Sequence, residues 1–178
     1  MKPADFLQLN YKPKKDDLIC LFRIEPNRVS IKEAAENVAL ESSIGTWTEV
    51  ESEKQYMKKL AAKVFSVKEI KNKGGGKAAY IKVAYPGELF EKGNAPNILS
   101  SVAGNIFGMK IVKNLRLEDI KFPQSILRSF KGPKYGIHGI RKMMKISSRP
   151  LVGTIIKPKL GLNTRDQANV AYEAWKGG

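Results

Sequence analysis

The sequence is poor in cysteine. Its 178 residues include only one, Cys20. A single cysteine excludes a disulfide framework and a cysteine-based metal site within one chain. Because Cys20 lies in the apolar segment 18–22, we expect it to be a small, buried core residue.

Long apolar runs are missing as well. No stretch of 18 or more apolar residues occurs, and the amino terminus from Met1 to Asn10 lacks the apolar segment of a signal peptide. We therefore predict a cytoplasmic protein without a membrane span. The hydrophobic fraction of 42% is sufficient for a packed core, and 178 residues suit one medium domain or one domain plus part of another.

Positive charge is in excess. The chain has 32 Lys and Arg residues against 17 Asp and Glu residues, a net charge of +15, which raises the hypothesis of nucleic-acid binding. However, the lysines are scattered, and neither interleaved basic and aromatic residues nor zinc-finger spacing is present. A Lys-rich surface is also typical of heat-adapted proteins. We favour a solvated surface that attracts anionic ligands over a surface that binds nucleic acid.

The apolar pattern before residue 122 predicts an α+β domain. A helix is expected to start after Ser30, because Ser30 and Glu33 form a capping box. The predicted elements are strand 18–24, helix 31–42, strand 46–50, a short helix from Ser52 to about residue 62, strands 63–70 and 78–85, helix 95–103 and strand 110–120. We interpret glycines 74–76 as a hairpin turn and not a phosphate cradle, since no helix follows them. This order is close to the ferredoxin-like, split βαβ arrangement with helices on one face.

A different pattern follows residue 123. It predicts short connecting helices at 124–130 and 137–145, a buried strand at 150–156 and an amphipathic helix at 164–176. One strand and one helix cannot form a domain, but they fit the first unit of a β/α barrel, which takes about 250 residues. We therefore predict a first domain at 1–131, and linker helices with the start of a TIM barrel at 132–178.

Two lysines, Lys157 and Lys159, follow the predicted barrel strand. Alternate residues of a strand point to the same side, and ligands of β/α barrels bind beyond the carboxyl ends of the strands. Two adjacent cations there suit an anionic substrate, and their repulsion favours a lower pKa in one of them, as acid–base chemistry near neutral pH requires. A Lys-x-Lys pair alone is usually a solvated loop. The predicted strand before it and helix after it favour the site.

Several short motifs occur in series along the chain: ESSIGTWT (41–48), VAYP (83–86), LFE (89–91), VAGNIFG (102–108), LRLED (115–119), GP (132–133), RPL (149–151) and IKPKLGL (156–162). Together they resemble the amino-terminal part of one known family, the large subunit of ribulose-1,5-bisphosphate carboxylase/oxygenase (RuBisCO). The order and spacing match from about residue 17 to the end. The short spacing around the glycine triplet and the basic composition resemble the archaeal, form III branch.

The resemblance implies a ferredoxin-like domain followed by a TIM barrel, in an enzyme that adds CO2 (or O2) to ribulose 1,5-bisphosphate. It implies that Lys157 is a catalytic proton-transfer residue and that Lys159 lies near the substrate and the metal centre. It further implies a homodimer or higher oligomer in which the amino-terminal domain of one subunit covers the barrel mouth of its partner.

Four residues of the amino-terminal domain match family positions that reach this shared site. By resemblance, Thr46 and the Trp47 backbone bind a sugar phosphate, and Asn105 lies at the substrate hydroxyls and metal. Glu41 is expected to contact the lysine of a mobile barrel loop. Three simpler readings remain: Trp47 as a core aromatic residue, Asn105 as a turn residue and Glu41 as a helix-end carboxylate.

One substitution and one absence qualify the resemblance. Ile155 replaces a threonine of the plant enzymes, which puts one hydroxyl contact in doubt. The family's Mg2+ ligands, including a lysine that becomes carbamylated, fall beyond residue 178, so we expect no metal ligand in this fragment and no activity of the fragment alone. Two alternatives are a RuBisCO-like protein that enolises or isomerises a sulfur-containing sugar phosphate, and a non-catalytic assembly module.

Overall fold

The computed structural model describes residues 6–45, 55–72, 74–156 and 161–177, and within them the first part combines strands with helices whereas the last part is helical. The elements are β1 (Leu18–Pro26), α1 (Ile31–Glu41), β2 (Lys63–Ile70), β3 (Ala78–Tyr85), α2 (Ala95–Val102), β4 (Val112–Lys121), α3 (Gln124–Leu127), α4 (Gly136–Met144) and α5 (Thr164–Lys176). Short 3-10 helices lie at Gln55–Leu60, Gly87–Leu89 and Asn105–Gly108. The chain divides into two compact units, Met1–Gly132 and Pro133–Gly178.

The four strands form one antiparallel sheet in the order β2-β3-β1-β4. Because β1 and β3 are central, α1 and α2 each connect a strand to a non-neighbouring position. The sequence of elements, β1-α1-β2-β3-α2-β4, together with this strand order, is the split βαβ arrangement. The predicted α+β class is therefore confirmed for the first unit.

The core lies on one face of the sheet. Along β1 the alternate residues Leu18, Cys20, Phe22 and Ile24 are completely buried, because successive side chains of a strand point to opposite faces. Apolar residues of α1 and α2 belong to the same cluster, among them Ala35, Val38, Ile98 and Val102. Both helices therefore cover this face, as predicted, and Cys20 is a buried core residue.

Local sequence signals define the helix start and the hairpin. The Ser30 hydroxyl oxygen accepts a hydrogen bond from the Glu33 amide at 3.1 Å, so Ser30 caps α1. Between β2 and β3, the Gly75 amide donates to the Asn72 carbonyl at 3.0 Å, and Gly75 has a φ of +77°, which glycine adopts without a steric penalty. The helix after Ser30 and the glycine hairpin are confirmed. The predicted strand 46–50 lies outside the described residues.

The opposite face of the sheet has a polar network around Glu25, which is 8% exposed. Its carboxylate accepts from the Asn114 amide at 2.6 Å and pairs with Arg23 at 2.6 Å. These contacts lower the pKa of Glu25, the Asn114 hydrogen bond most strongly. The network joins β1 to β4 at their ends.

The segment before β1 is held by Asp17, which is 5% exposed. One carboxylate oxygen accepts from the Tyr11 hydroxyl at 2.7 Å and from the Lys14 amide at 2.8 Å. Burial, and then the hydrogen bond and the charge of Asp17, raise the pKa of Tyr11 to about 12. A hydrogen bond from the protonated Tyr11 hydroxyl to the Asp17 carboxylate thus closes the loop before β1.

The second unit consists of α4 and α5 with irregular chain between them. Asn163 caps α5 by accepting from the Asp166 amide at 2.9 Å, and both helices match their predicted positions. The predicted buried strand at 150–156 is wrong here: residues 150–156 have no regular structure, and Val152 and Ile155 are 82% and 75% exposed. A strand needs a neighbour for its hydrogen bonds, and the described part of this unit contains no other strand.

A search for membrane spans among the described helices finds none that has both the length and the apolar character to cross a bilayer.

Candidate functional site

Glu41 is the last residue of α1 and is partly exposed. Within the described part of the chain its carboxylate makes no hydrogen bond or ion pair. Its position is therefore set by the backbone at the helix end. The carboxylate is available to a ligand or to another protein chain.

Asn105 is placed by a tight approach between two segments. After α2, the backbone at Gly104 comes so close to Ser100 that a Cβ atom on Gly104 would lie 2.0 Å from the Ser100 carbonyl oxygen. Only glycine fits there, and the chain turns at once into the 3-10 helix Asn105–Gly108. Ile106 is completely buried and anchors this helix, whereas Asn105 is exposed and its side chain makes no hydrogen bond to the described residues.

Glu41 and Asn105 line the same open cavity, of about 580 Å3. Gly108, Met109, Lys110 and Ile111 form the rest of its wall. This wall is held from the end of β1: the Asn27 side-chain amide donates to the Lys110 carbonyl at 2.8 Å, and the Asn27 backbone amide donates to the Ile111 carbonyl at 2.9 Å. Two segments that are distant in sequence therefore line the cavity, and Asn27 from a third segment holds one of them in place.

This cavity presents three types of polar group. Its lining residues include one with a carboxylate, Glu41, one with a carboxamide, Asn105, and one with an ammonium group, Lys110, together with the apolar Met109 and Ile111. An amide and an ammonium group can donate hydrogen bonds to hydroxyl or phosphate oxygens, and a carboxylate can accept them or pair with a cation. Sequence reasoning missed Lys110, which we assigned only to the start of a strand. Its position directly after the VAGNIFG motif was the available signal.

The remaining predicted site residues, Thr46, Trp47, Lys157 and Lys159, lie outside the described residues. Of the chain next to these four residues, the turn that precedes Thr46 is the most informative. The turn after α1 brings Gly45 so close to Leu40 that a Cβ atom on Gly45 would lie 2.3 Å from the Leu40 Cγ atom. Gly45 directly precedes Thr46, so a larger residue at position 45 would require the Leu40 side chain to move.

A metal ligand cannot be assigned in the part of the chain that is described. There, no group of three or more His, Cys, Asp or Glu side chains is arranged to hold an ion. Among the described residues that line the cavity, Glu41 is the only one with a carboxylate, and we assign no ion there.

Comparison with known proteins follows the division seen in the structure. The family described as "Ribulose bisphosphate carboxylase large chain, N-terminal domain" matches residues 5–126, and the catalytic domain of the same large chain matches residues 136–178. The chain belongs to the RuBisCO large-chain family. The resemblance found in the motifs is thereby confirmed.

The relatives of this RuBisCO chain include archaeal proteins. It is 48% identical over 175 residues to a ribulose bisphosphate carboxylase of Methanocaldococcus jannaschii, and 48% identical over 174 residues to one of Pyrococcus furiosus. Each alignment covers 98% of this chain but only 41% and 40% of the relative. The archaeal resemblance is confirmed, and the chain spans about two fifths of the length of the curated relatives it matches.

Solved structures give the same picture. An octameric RuBisCO of Pyrococcus horikoshii matches with a TM-score of 0.68 and 45% identity, covering 99% of this chain and 41% of the other. A dimeric RuBisCO of Hyperthermus butylicus matches with a TM-score of 0.71 and 45% identity, covering 99% and 40%.

Proposed function

We propose that the whole protein is a ribulose-bisphosphate carboxylase of the cytoplasm. Removal of a proton from ribulose 1,5-bisphosphate gives an enediolate, CO2 adds to it, and hydration with cleavage of a carbon–carbon bond gives two 3-phosphoglycerates. O2 competes with CO2 for the same enediolate. The names of the archaeal relatives support this function over that of a RuBisCO-like isomerase or a non-catalytic assembly module.

One observation carries the proposal for this part of the protein: Glu41 and Asn105, which are distant in sequence, line one cavity. If Asn105 were only a turn residue and Glu41 only a helix-end carboxylate, nothing would require the two to line the same cavity. Both polar side chains lack a partner within the described residues, so both are available to bind. In our proposal Asn105 binds the substrate hydroxyls, and Glu41 pairs with a lysine of a mobile loop.

The four predicted residues outside the described part complete the proposed site. Lys157 transfers the proton and Lys159 binds beside it, while Thr46 and the Trp47 backbone hold one phosphate. Cations and backbone amides are suitable groups for a bisphosphate, and the net charge of +15 attracts such a substrate. Each role stays a prediction.

We propose that the second unit comprises a linker helix, α4, followed by the first strand and helix of a TIM barrel. The match of residues 136–178 to the family's catalytic domain and the helix α5 support this. Paired with a neighbouring barrel strand, residues 150–156 would satisfy their backbone hydrogen bonds and bury Val152 and Ile155. The proposed cofactor is Mg2+, with ligands beyond residue 178, including a carbamylated lysine. When bound, it stabilises negative charge on the enediolate.

The active site is proposed to be shared between two subunits. Leu99 and Phe107, which flank Asn105 in sequence, are 49% and 44% exposed. Large apolar side chains beside a binding residue favour a covering protein surface. The solved dimeric and octameric relatives support a homo-oligomer.

A subunit-mixing experiment on the full-length protein tests the function and the sharing together. Carboxylation is measured as incorporation of labelled CO2 into 3-phosphoglycerate. The variants Lys157→Met and Asn105→Ala are each expected to be inactive. Random mixing makes heterodimers in which one site has both defects and the other none, so activity should return to about a quarter of the wild-type value.

A matched mixture controls for non-specific rescue. Asn105→Ala and Glu41→Ala both change the amino-terminal domain, so every site of their heterodimer keeps one defect and no activity should return. Recovery in this control, or its absence in the first mixture, would refute the shared site. A wild-type protein that incorporates no CO2 would refute the carboxylase function itself.

A further inference from the structure

We propose that Tyr85 is a positioning residue for Glu41, acting through a buried hydrogen bond to Ser42. This inference rests on the proposed function, because it concerns the site that Glu41 lines. Tyr85 belongs to the VAYP motif, to which the site described above assigns no role.

The contact joins the end of β3 to the end of α1. Ser42, the residue after Glu41, is 3% exposed, and Tyr85 is completely buried. The Ser42 Oγ atom lies 2.8 Å from the Tyr85 hydroxyl oxygen and 2.5 Å from the Val38 carbonyl oxygen. Both are hydrogen-bond distances.

The direction of these hydrogen bonds follows from the number of protons. The serine hydroxyl has one proton, and the Val38 carbonyl can only accept. Ser42 therefore donates to Val38, and the Tyr85 hydroxyl donates to Ser42. Burial raises the pKa of Tyr85 well above its usual value, so the phenol remains a donor at any pH near neutrality.

Tyr85 is itself held in a fixed position. It is the last residue of β3 and is paired with Leu18 of β1, and its ring contacts Phe90 with a centroid distance of 6.2 Å. The sheet thus provides a rigid support whose hydroxyl reaches the end of α1. Glu41 has no side-chain partner among the described residues. The position of its carboxylate therefore depends on the backbone at the end of α1, which the Tyr85 hydroxyl holds.

The residues that follow are attached in the same region. The Ser43 hydroxyl donates to the Ala39 carbonyl at 2.6 Å and accepts from the Ala62 amide at 3.2 Å, and the Gly45 amide donates to the Leu40 carbonyl at 3.1 Å. None of these contacts involves the phenol hydroxyl, so they can still form without it, although the helix end that carries them is then held less firmly. The expected effect is a shift of the helix end, with the domain remaining folded.

A double-mutant cycle in the full-length protein tests whether Tyr85 acts through Glu41. Tyr85→Phe should lower kcat/KM about tenfold in the wild-type background. In a Glu41→Gln background it should have less than about a twofold effect, because the group that it positions is already changed. Equal factors in both backgrounds, or no effect in the wild type, would overturn the proposal. If Tyr85→Phe does not fold, Ser42→Ala removes the acceptor and should show the same dependence on Glu41.

Tyr80→Phe is the matched control, since Tyr80 lies in the same strand, is partly exposed and makes no described hydrogen bond. It should leave kcat/KM unchanged.

A second measurement does not require activity. In Tyr85→Phe the amides of Ser42, Ser43 and Gly45 should exchange their hydrogens about tenfold faster, while exchange of the Ala34 amide at the helix start is unchanged. Unchanged exchange would refute the anchor. If exchange is faster in Tyr85→Phe but the wild-type protein has no carboxylase activity, the anchor is supported and only the proposed function is refuted.

Discussion

Gly104 and the Ser100 carbonyl oxygen approach each other so closely that a Cβ atom at position 104 would lie 2.0 Å from that oxygen. Gly104→Ala should therefore displace the 3-10 helix that starts at Asn105 and lower the free energy of unfolding by about 1–3 kcal/mol. It should also reduce carboxylation by the full-length protein. Gly108→Ala is the control, because no atom lies within 4 Å of its Cβ position. Urea unfolding should separate the two variants, and equal stability would contradict the steric argument.

Neighbouring residues of the 3-10 helix should have different roles. Ile106 is completely buried, so Ile106→Ala should lower the free energy of unfolding of the chain by about 2–5 kcal/mol. Phe107 is 44% exposed, so Phe107→Ala should change it by about 0.5 kcal/mol or less. In the full-length protein, Phe107→Ala should instead weaken the dimer, measured by sedimentation as a function of concentration. An unaffected dimer would argue against a subunit interface at this surface.

The Tyr11–Asp17 hydrogen bond predicts a loss of stability at alkaline pH. The pKa of Tyr11 is raised to about 12 in the folded chain, against about 10 in an unfolded one. Below about pH 10 both states keep the proton and the full stabilisation is present. As the pH rises from about 10 to 12 the unfolded phenol ionises first, and the free energy of unfolding falls.

Tyr11→Phe tests this dependence. It should be less stable than the wild type by about 1 kcal/mol at pH 8, through the lost hydrogen bond, and the difference should shrink as the pH passes about 10. Chemical unfolding of both chains across this range measures the difference. A constant difference up to pH 12 would contradict the raised pKa.

Glu25 predicts the opposite dependence at acid pH. The pKa of its carboxyl group is lowered in the folded chain by Asn114 and Arg23. Its stabilisation is therefore complete above the ordinary glutamate value of about 4.3 and is lost as the pH falls through the folded pKa. Glu25→Gln should flatten this part of the acid unfolding profile. Glu69→Gln, at an exposed position of β2, should leave the profile unchanged; similar profiles for both variants would refute the role of the network.

Much of the first unit could be predicted because its signals are local. The alternation in β1 and the Ser30 cap each involve a few neighbouring residues, and the structure has them where the sequence predicted them. The strand at 150–156 could not be judged in this way. Its apolar pattern indicates burial, but burial and hydrogen bonding depend on neighbouring strands that a local pattern does not contain.

The site divides in a similar manner. Motif resemblance selected Glu41 and Asn105, but it gave no reason to expect Lys110 in the same wall or Tyr85 below the end of α1. These relationships join β3 to α1 and the end of β1 to the start of β4, so they depend on the antiparallel register and not on spacing along the chain.

By itself, the order of residues determined the family, the start of α1 at the Ser30 cap and the glycine hairpin between β2 and β3. Only the three-dimensional packing decided which polar groups share a cavity and which hydroxyl donates to Ser42. The physical reason is range: capping, turns and amphipathic faces arise within a few residues, whereas a binding surface forms where distant segments are brought together by burial of a common apolar face.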